Sequence, residues 1–162
     1  MNSSKSLRNT FLVILLSLIL SACATKKTAT KIEGQMQSDV YTGTDTVKYL
    51  ADGVPDRVFF ATNESILTTK SRDTLRKQAN WLRENSSINV VVEGHADERG
   101  TREYNLALGE RRANAAKDYL MTYGISGKRI SVISYGKEKP VNPASTPLAW
   151  SQNRRSVTIK VN

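Results

Sequence analysis

The chain has 162 residues, 39 % of them apolar and 24 % charged, and its 24 basic against 15 acidic side chains give a net charge of +9. That composition is that of a soluble globular protein with room for one ordinary domain plus extensions. A single cysteine and a single histidine exclude an internal disulfide and leave no second histidine to build a zinc site.

At the N-terminus, Lys5 and Arg8 precede the ten-residue run Phe11 to Leu20 (FLVILLSLIL), which gives way to Ser21, Ala22 and Cys23. Basic residues, a short apolar stretch and then small residues predict a secretory signal over residues 1–22. The run falls well short of the roughly twenty residues that span a bilayer core, which ranks a transmembrane helix far behind. Cys23, directly after Leu20-Ser21-Ala22, resembles a bacterial lipobox, and the alternative is a free thiol beside an ordinary cleavage site. The lipobox implies cleavage before Cys23 and lipidation there. One acyl chain binds a membrane only marginally, at about 0.8 kcal/mol per buried CH₂, whereas three hold it lastingly. Ala24 stands where, in enterobacterial lipoproteins, an aspartate would favour the inner membrane, so the same resemblance points to the outer membrane.

Residues 23–53 read as a lipidated N-terminus and flexible tether: Thr, Lys, Asp and Gly dominate, no period is sustained, and residues 24–53 hold four charges of each sign. Pulled straight, such a segment reaches roughly 100 Å. The alternative is that Val47 to Leu50 pack on the domain as a short element. Residues 54–162, with 18 basic and 11 acidic side chains, carry +7. In a secreted, lipidated chain a basic domain points to carboxylate-bearing cell wall or an anionic membrane surface, and not to nucleic acid.

From Val54 the pattern becomes regular. Arg57 to Ala61 (RVFFA) predicts a strand, and Lys70 to Glu84 predicts a helix with Leu75, Gln78, Ala79 and Leu82 on one face and Thr68 or Thr69 as N-cap. Ile88 to Glu93 (INVVVE) is β-branched enough for a strand buried on both faces. A second helix runs from Thr101 or Arg102 to Tyr123 and stops at Gly124. Arg129 to Tyr135 and Arg155 to Val161 are strands, and the Pro-containing loop between them has room for a short helix over Pro147 to Asn153. The order βαβαββ predicts an α+β two-layer sandwich, with a small mixed four-stranded sheet and two long helices.

The densest chemistry follows the third predicted element, in GHADERGTREYN, Gly94 to Asn105. Ligands gather where a strand turns into a helix, because the free N–H groups there favour anions. Asp97 stands at that strand end, with Gly100 for the turn and Thr101 for the cap. By itself Asp97 reads as a turn-pinning acid. One face of the following helix carries Leu108, Gly109, Arg112, Ala116, Tyr119, Leu120 and Tyr123, so Arg112 interrupts an apolar stripe. An inward guanidinium is costly unless a carboxylate meets it, either that of Asp97 or that of a ligand. Arg111 falls on the solvent side.

GHADERGTREYNLALGERRANAAKDYL, the stretch GISGKRISVISYGKEKP and NRRSV are very similar to the OmpA-like peptidoglycan-binding domain family over residues 54–162, and the lipobox and tether make the chain resemble its lipoprotein members. The resemblance implies non-covalent binding of peptidoglycan of the diaminopimelate type, without cofactor, metal or catalytic residue. A strand-end aspartate and a helix arginine fifteen positions on, here Asp97 and Arg112, clamp the diaminopimelate ammonium and carboxylate. Asn105 matches the family's asparagine. Members often carry an acidic segment after the first strand, where this chain reads FFATNESIL; Thr62, Asn63 and, on the helix, Leu108 are carried over as lesser contacts. The resemblance further implies a periplasmic β-propeller partner, of the Tol-Pal system, competing for an overlapping surface. It leaves Glu98, Arg99, Arg102 and Glu103 as rim charges and His95 as structural. A competing reading, a wall amidase using His95, Asp97, Glu98 and Glu103, ranks below both binding roles. On the clamp reading, alanine at Asp97 or Arg112 removes binding and spares the fold.

If Cys23 carries the anchor, Cys23→Ser releases the protein from membranes on fractionation; membrane partitioning that persists after signal removal would count against lipidation.

Overall fold

The computed structural model describes residues 39–161. The signal, Cys23, Ala24 and residues 24–38 of the expected tether lie outside the described residues. Among the described residues the elements are β1 (Tyr49–Ala51), β2 (Val54–Pro55), β3 (Arg57–Phe59), α1 (Thr69–Glu84), β4 (Asn89–His95), α2 (Arg102–Thr122), a 3₁₀ turn (Gly127–Arg129), β5 (Ile130–Gly136), α3 (Pro147–Asn153) and β6 (Arg155–Val161). Each helix begins on a threonine whose hydroxyl accepts a backbone N–H: Thr68 from Ser71 (3.1 Å), Thr101 from Tyr104 (3.2 Å) and Thr146 from Ala149 (3.2 Å). α2 ends at Gly124, whose φ of +84° is open to glycine at little cost.

The four-stranded sheet has the order β3-β6-β4-β5. β6 lies between β3 and β4 and runs antiparallel to both, while β4 and β5 pair in parallel across the α2 crossover. α1 and α2 cover one face, and the core between the layers contains Val58, Phe60, Leu75, Ala79, Leu82, Val90, Val92, Ala113, Ala116, Leu120, Ile125 and Ile130. The two-layer α+β architecture, the two long helices and the short helix over Pro147 to Asn153 are those expected from the sequence. No helix among the described residues is long and apolar enough to cross a membrane.

The described part of the expected tether is a correction. Residues 39–53 lie on the domain: Tyr41 is buried with its ring 4.8 Å from that of Phe59, Leu50 is buried, and β1 and β2 form a two-stranded hairpin. Gln152 Nε2 donates to Asp45 (2.8 Å) and Lys70 Nζ to the Thr42 carbonyl (2.7 Å). The scattered apolar residues Tyr41, Val47 and Leu50 show no period because they anchor single contacts and build no helix or long strand.

One contact fixes how α2 lies on the sheet. At Gly94 in β4 and Gly109 in α2 the two backbones meet directly: a Cβ on Gly94 would stand 1.8 Å from the Gly109 carbonyl oxygen, and one on Gly109 would stand 2.4 Å from Ser134 Oγ. The Ser134 hydroxyl donates to the Leu106 carbonyl at 2.6 Å, locking β5 to the same stretch of helix. Gly94→Ala is expected to cost about 3 kcal/mol, at the upper end for overpacking, since the obstructing atoms are backbone. A urea-denaturation midpoint matching the unsubstituted protein would show that the helix can shift off the strand.

Candidate ligand-binding site

Where β4 ends, the chain turns through Ala96 to Gly100 into α2. The Asp97 carboxylate organises this turn. Its Oδ1 accepts the Arg99 backbone N–H (3.1 Å) and Nε–H (3.0 Å), and its Oδ2 accepts Arg99 Nη2 (2.7 Å) and, from the far side, Arg154 Nη1 (3.5 Å). Asp97 is buried, and burial alone would raise its pKa; the hydrogen bonds and charge of Arg99, with Arg154 behind them, outweigh this and hold the carboxyl below its ordinary 3.8. Gly100, at φ +91°, reverses the chain, and buried Asn105 donates from Nδ2 to the Arg99 carbonyl at 2.8 Å, closing the loop on the first turn of α2.

Arg112 is fully buried, one turn beyond the Gly94–Gly109 contact, and no carboxylate among the described residues partners it. Its Nε donates to the Glu64 carbonyl (2.8 Å), Nη1 to the His95 carbonyl (2.9 Å) and Nη2 to the Ala61 carbonyl (3.0 Å), with its Cζ 5.3 Å from the Phe60 ring centroid. This corrects the expectation that an inward arginine needs an acid. The carbonyls where the chain leaves β3 and β4 neutralise it as dipoles, and the guanidinium in turn supplies each of these three acceptors with a donor. Burial, with Arg154 nearby, lowers its pKa to about 10, so it stays a cation at neutral pH. Three of its five donors are used.

The other expected contacts divide. Thr62 lies at the site: its N–H donates to Asp39 Oδ2 (2.8 Å) and its hydroxyl meets Arg99 Nη2 at 3.5 Å. Asn63 is an exposed turn residue at φ +57°, a conformation asparagine tolerates better than most side chains. Leu108 is buried beneath the helix. Arg102 and Glu103 stand exposed on the first turn of α2.

Glu98 and Arg99 are more than rim charges. Glu98 accepts from Trp150 Nε1 (2.8 Å) and the Ser145 hydroxyl (3.0 Å), pinning the turn to α3, and the Arg99 guanidinium lies 4.4 Å from the Trp150 ring centroid while it grips Asp97. Arg154, following α3, is buried and bonds the Phe60 carbonyl (3.1 Å) and the backbone of Asp39 in addition to Asp97. Asp39, Tyr41, Thr62, Arg99, Trp150 and Arg154 line an open groove of about 640 Å³. Arg154, Asp39 and Trp150 escape a reading of the sequence, because only the return of β6 to the middle of the sheet brings residues this far apart in the chain together. The Arg154-Arg155 doublet was the available signal.

His95, 1 % exposed, does not reach the groove. Its Nε2–H donates to Glu93 Oε2 at 3.3 Å, its ring lies 5.6 Å from that of Tyr135, and burial, then the charges of Arg155, Arg57 and Lys139, push its pKa down from 6.5 to about 3. The contact with Glu93 is therefore a hydrogen bond donated by a neutral imidazole. Among the described residues no three His, Cys, Asp or Glu side chains are grouped to hold a metal ion.

The chain belongs to the OmpA family, whose sequence model matches residues 59–154. It is 42 % identical over 153 residues to the peptidoglycan-associated lipoprotein of Mesorhizobium japonicum, covering 93 % of this chain and 91 % of that one. It is 45 % identical over 147 residues to the peptidoglycan-associated lipoprotein of Agrobacterium fabrum, at 89 % and 82 % coverage. Among solved structures, the peptidoglycan-associated lipoprotein of Burkholderia pseudomallei superposes with a TM-score of 0.64 at 33 % identity, over 65 % of this chain and 90 % of that one. The C-terminal domain of Helicobacter pylori MotB, with a TM-score of 0.62 at 18 % identity over 66 % and 84 %, shares the fold.

Two expectations follow for stability. The unfolded chain protonates His95 near 6.5 and the folded chain only near 3, so between these values the unfolded state holds the extra proton. Stability therefore falls as pH drops through that window, by up to about 1.4 kcal/mol per pH unit from this group. Asp97, whose folded pKa is depressed, adds its own loss only as pH falls below its ordinary 3.8. Urea denaturation between pH 6 and pH 4 should give a shallower dependence for His95→Gln; parallel slopes would discard the neutral-imidazole assignment. Arg112→Ala takes a donor from each of three carbonyls, of which that of Ala61 keeps the Glu64 N–H (3.2 Å); at roughly 1–3 kcal/mol for each carbonyl left unpaired, the fold should lose about 2 kcal/mol or more, a correction to the expectation that this residue serves binding alone.

Proposed function

We propose that this chain is an outer-membrane lipoprotein, anchored through Cys23, whose domain binds the diaminopimelate of peptidoglycan stem peptides without covalent chemistry and so ties the outer membrane to the cell wall. The reading rests on one observation, a fixed carboxylate and a fixed guanidinium at the same strand end: Asp97 leaves β4 two residues after His95, whose carbonyl Arg112 holds at 2.9 Å. Diaminopimelate carries an ammonium and a carboxylate on one carbon. Asp97 takes the ammonium, and the two donors that buried Arg112 leaves unused take the carboxylate once the ligand displaces the side chains covering them. Asn105 keeps the loop between them in shape through the Arg99 carbonyl, and Thr62 adds a hydroxyl at the rim, with Asn63 holding the turn beside it. The peptidoglycan-associated lipoproteins to which the chain is similar supply the wall as partner, and the net charge of the domain agrees with a carboxylate-rich polymer. Such a site binds and has no step to catalyse.

The groove rim also carries Pro147 and Leu148, the latter 59 % exposed. An apolar rim beside paired charges suits a protein partner, and a β-propeller component of the Tol-Pal system is the proposed competitor for the groove.

Asp97→Asn removes the charge and keeps the shape, so it should lower co-sedimentation with diaminopimelate-containing sacculi at least about tenfold in affinity, while walls with lysine at that position bind weakly to either form. Undiminished co-sedimentation of the Asp97→Asn variant would refute the clamp.

A further inference from the structure

Asp97, the acid proposed to receive a ligand ammonium, is already occupied. Both of its oxygens accept from Arg99, Oδ1 from Nε at 3.0 Å and Oδ2 from Nη2 at 2.7 Å, in a side-by-side pair that is the preferred geometry of guanidinium and carboxylate. The two partners differ in freedom: the Asp97 side chain is 9 % exposed and the Arg99 side chain 43 %. Asp97 is fixed by the turn and by Arg154, whereas Arg99 reaches back from the loop, lies over Trp150 and lines the open groove. No ligand ammonium can bond Asp97 in line with both oxygens while Arg99 stays there.

We infer that Arg99 is the specificity-determining residue of this site: it stands in for the ligand ammonium in the free protein, and must be displaced by it. This deepens the function proposed above and rests on it. The selectivity follows from charge. Asp39, Arg99 and Arg154 line the groove, Asp97 is paired with Arg99 and Arg154 behind it, and Arg112 is buried on the Ala61 carbonyl next to Thr62, so three arginines stand here against two aspartates, while exposed Glu98 is offset by Lys137. A ligand bearing a lone ammonium, such as a lysine side chain, expels Arg99 from its carboxylate pair and adds a further positive charge to a site already one positive in excess. An ammonium with a carboxylate on the same carbon adds no net charge and offers the expelled guanidinium a new planar partner. Arg99 therefore raises the cost of every amine and refunds it only to a zwitterion. Trp150 keeps the freed side chain at the groove, since its ring face holds a guanidinium with or without Asp97.

The test compares soluble muropeptides with diaminopimelate or lysine at the third stem position, bound to the full chain in detergent. In Arg99→Ala, and in Arg99→Gln as a second variant, the lysine muropeptide should bind about tenfold more tightly, and the preference for diaminopimelate over lysine should fall by at least the same factor. Thermal melts identify which variants are folded. A purely structural role is separated by Trp150 emission in a Trp81→Phe background. Displacement of Arg99 changes the charge over the indole, so the emission should shift with the same concentration dependence as diaminopimelate-muropeptide binding, and the shift should vanish in Arg99→Ala. A preference unchanged within about twofold in both folded variants, or emission unmoved at saturating muropeptide, overturns the inference. If the unsubstituted chain binds neither muropeptide, or Asp97→Asn binds the diaminopimelate form as tightly as the unsubstituted chain, the proposed function itself fails and this inference falls with it.

Discussion

The direct contact between Gly94 and Gly109 sets the geometry on which the site depends. With no side chain on either residue, α2 lies against β4 backbone to backbone, closer than any pair of side chains would permit. Arg112, one helical turn further on, is then carried under the strand end, where its planar fork meets the carbonyls of Ala61, Glu64 and His95. A lysine could not bridge three acceptors in this way, because its donors radiate from one atom. The guanidinium ties the chain leaving β3 to the chain leaving β4, and the floor of the groove is built from those two exits.

Above this floor the electrostatics are unequal. Cations exceed anions, and the carboxylate of Asp97 is shared between Arg99 and Arg154, which keeps it ionised in spite of its burial. The buried cations are compensated mainly by carbonyl dipoles, as at Arg112, or by carbonyls together with a shared acid, as at Arg154. That excess leaves the groove tolerant of a further anion, alone or paired with a further cation, and intolerant of a lone cation. His95 contributes nothing to this balance at neutral pH. Beneath the site it is a neutral ring, and its value there is packing against Tyr135 and a bond to Glu93.

The elements of the fold were legible where a local signal was strong. Threonine caps and helical spacing marked α1 and α2, β-branched and alternating runs marked β4 and β6, and the segment Pro147 to Asn153 of the Pro-containing loop marked α3, each within a residue or two of its observed bounds. Asp97 and Arg112 were legible as candidates, one from the turn it opens and the other from the apolar stripe it breaks. Their partners were not. Nothing local to Arg112 predicts that three carbonyls replace a carboxylate, and Arg99, two residues from Asp97 and set in a run of charges, looks like any solvated side chain. Residues 39–53 failed for the opposite reason: their apolar residues are too sparse to show a period, yet Tyr41 and Leu50 each find a place on the domain.

What the sequence determined by itself is therefore local and chemical: which segments form helices and strands, where they stop, which residue types stand at the β4–α2 turn, and the kinship of the whole domain. These are readable because caps, glycine turns and side-chain periodicity act over a few residues. The tertiary structure alone decided which charges meet. The insertion of β6 between β3 and β4 brings Arg154 to Asp97 across 57 positions, and the glycine contact buries Arg112 among carbonyls. Pairings of that kind depend on the distance between elements in space, and that distance is set by the packing of the sheet and not by any spacing along the chain.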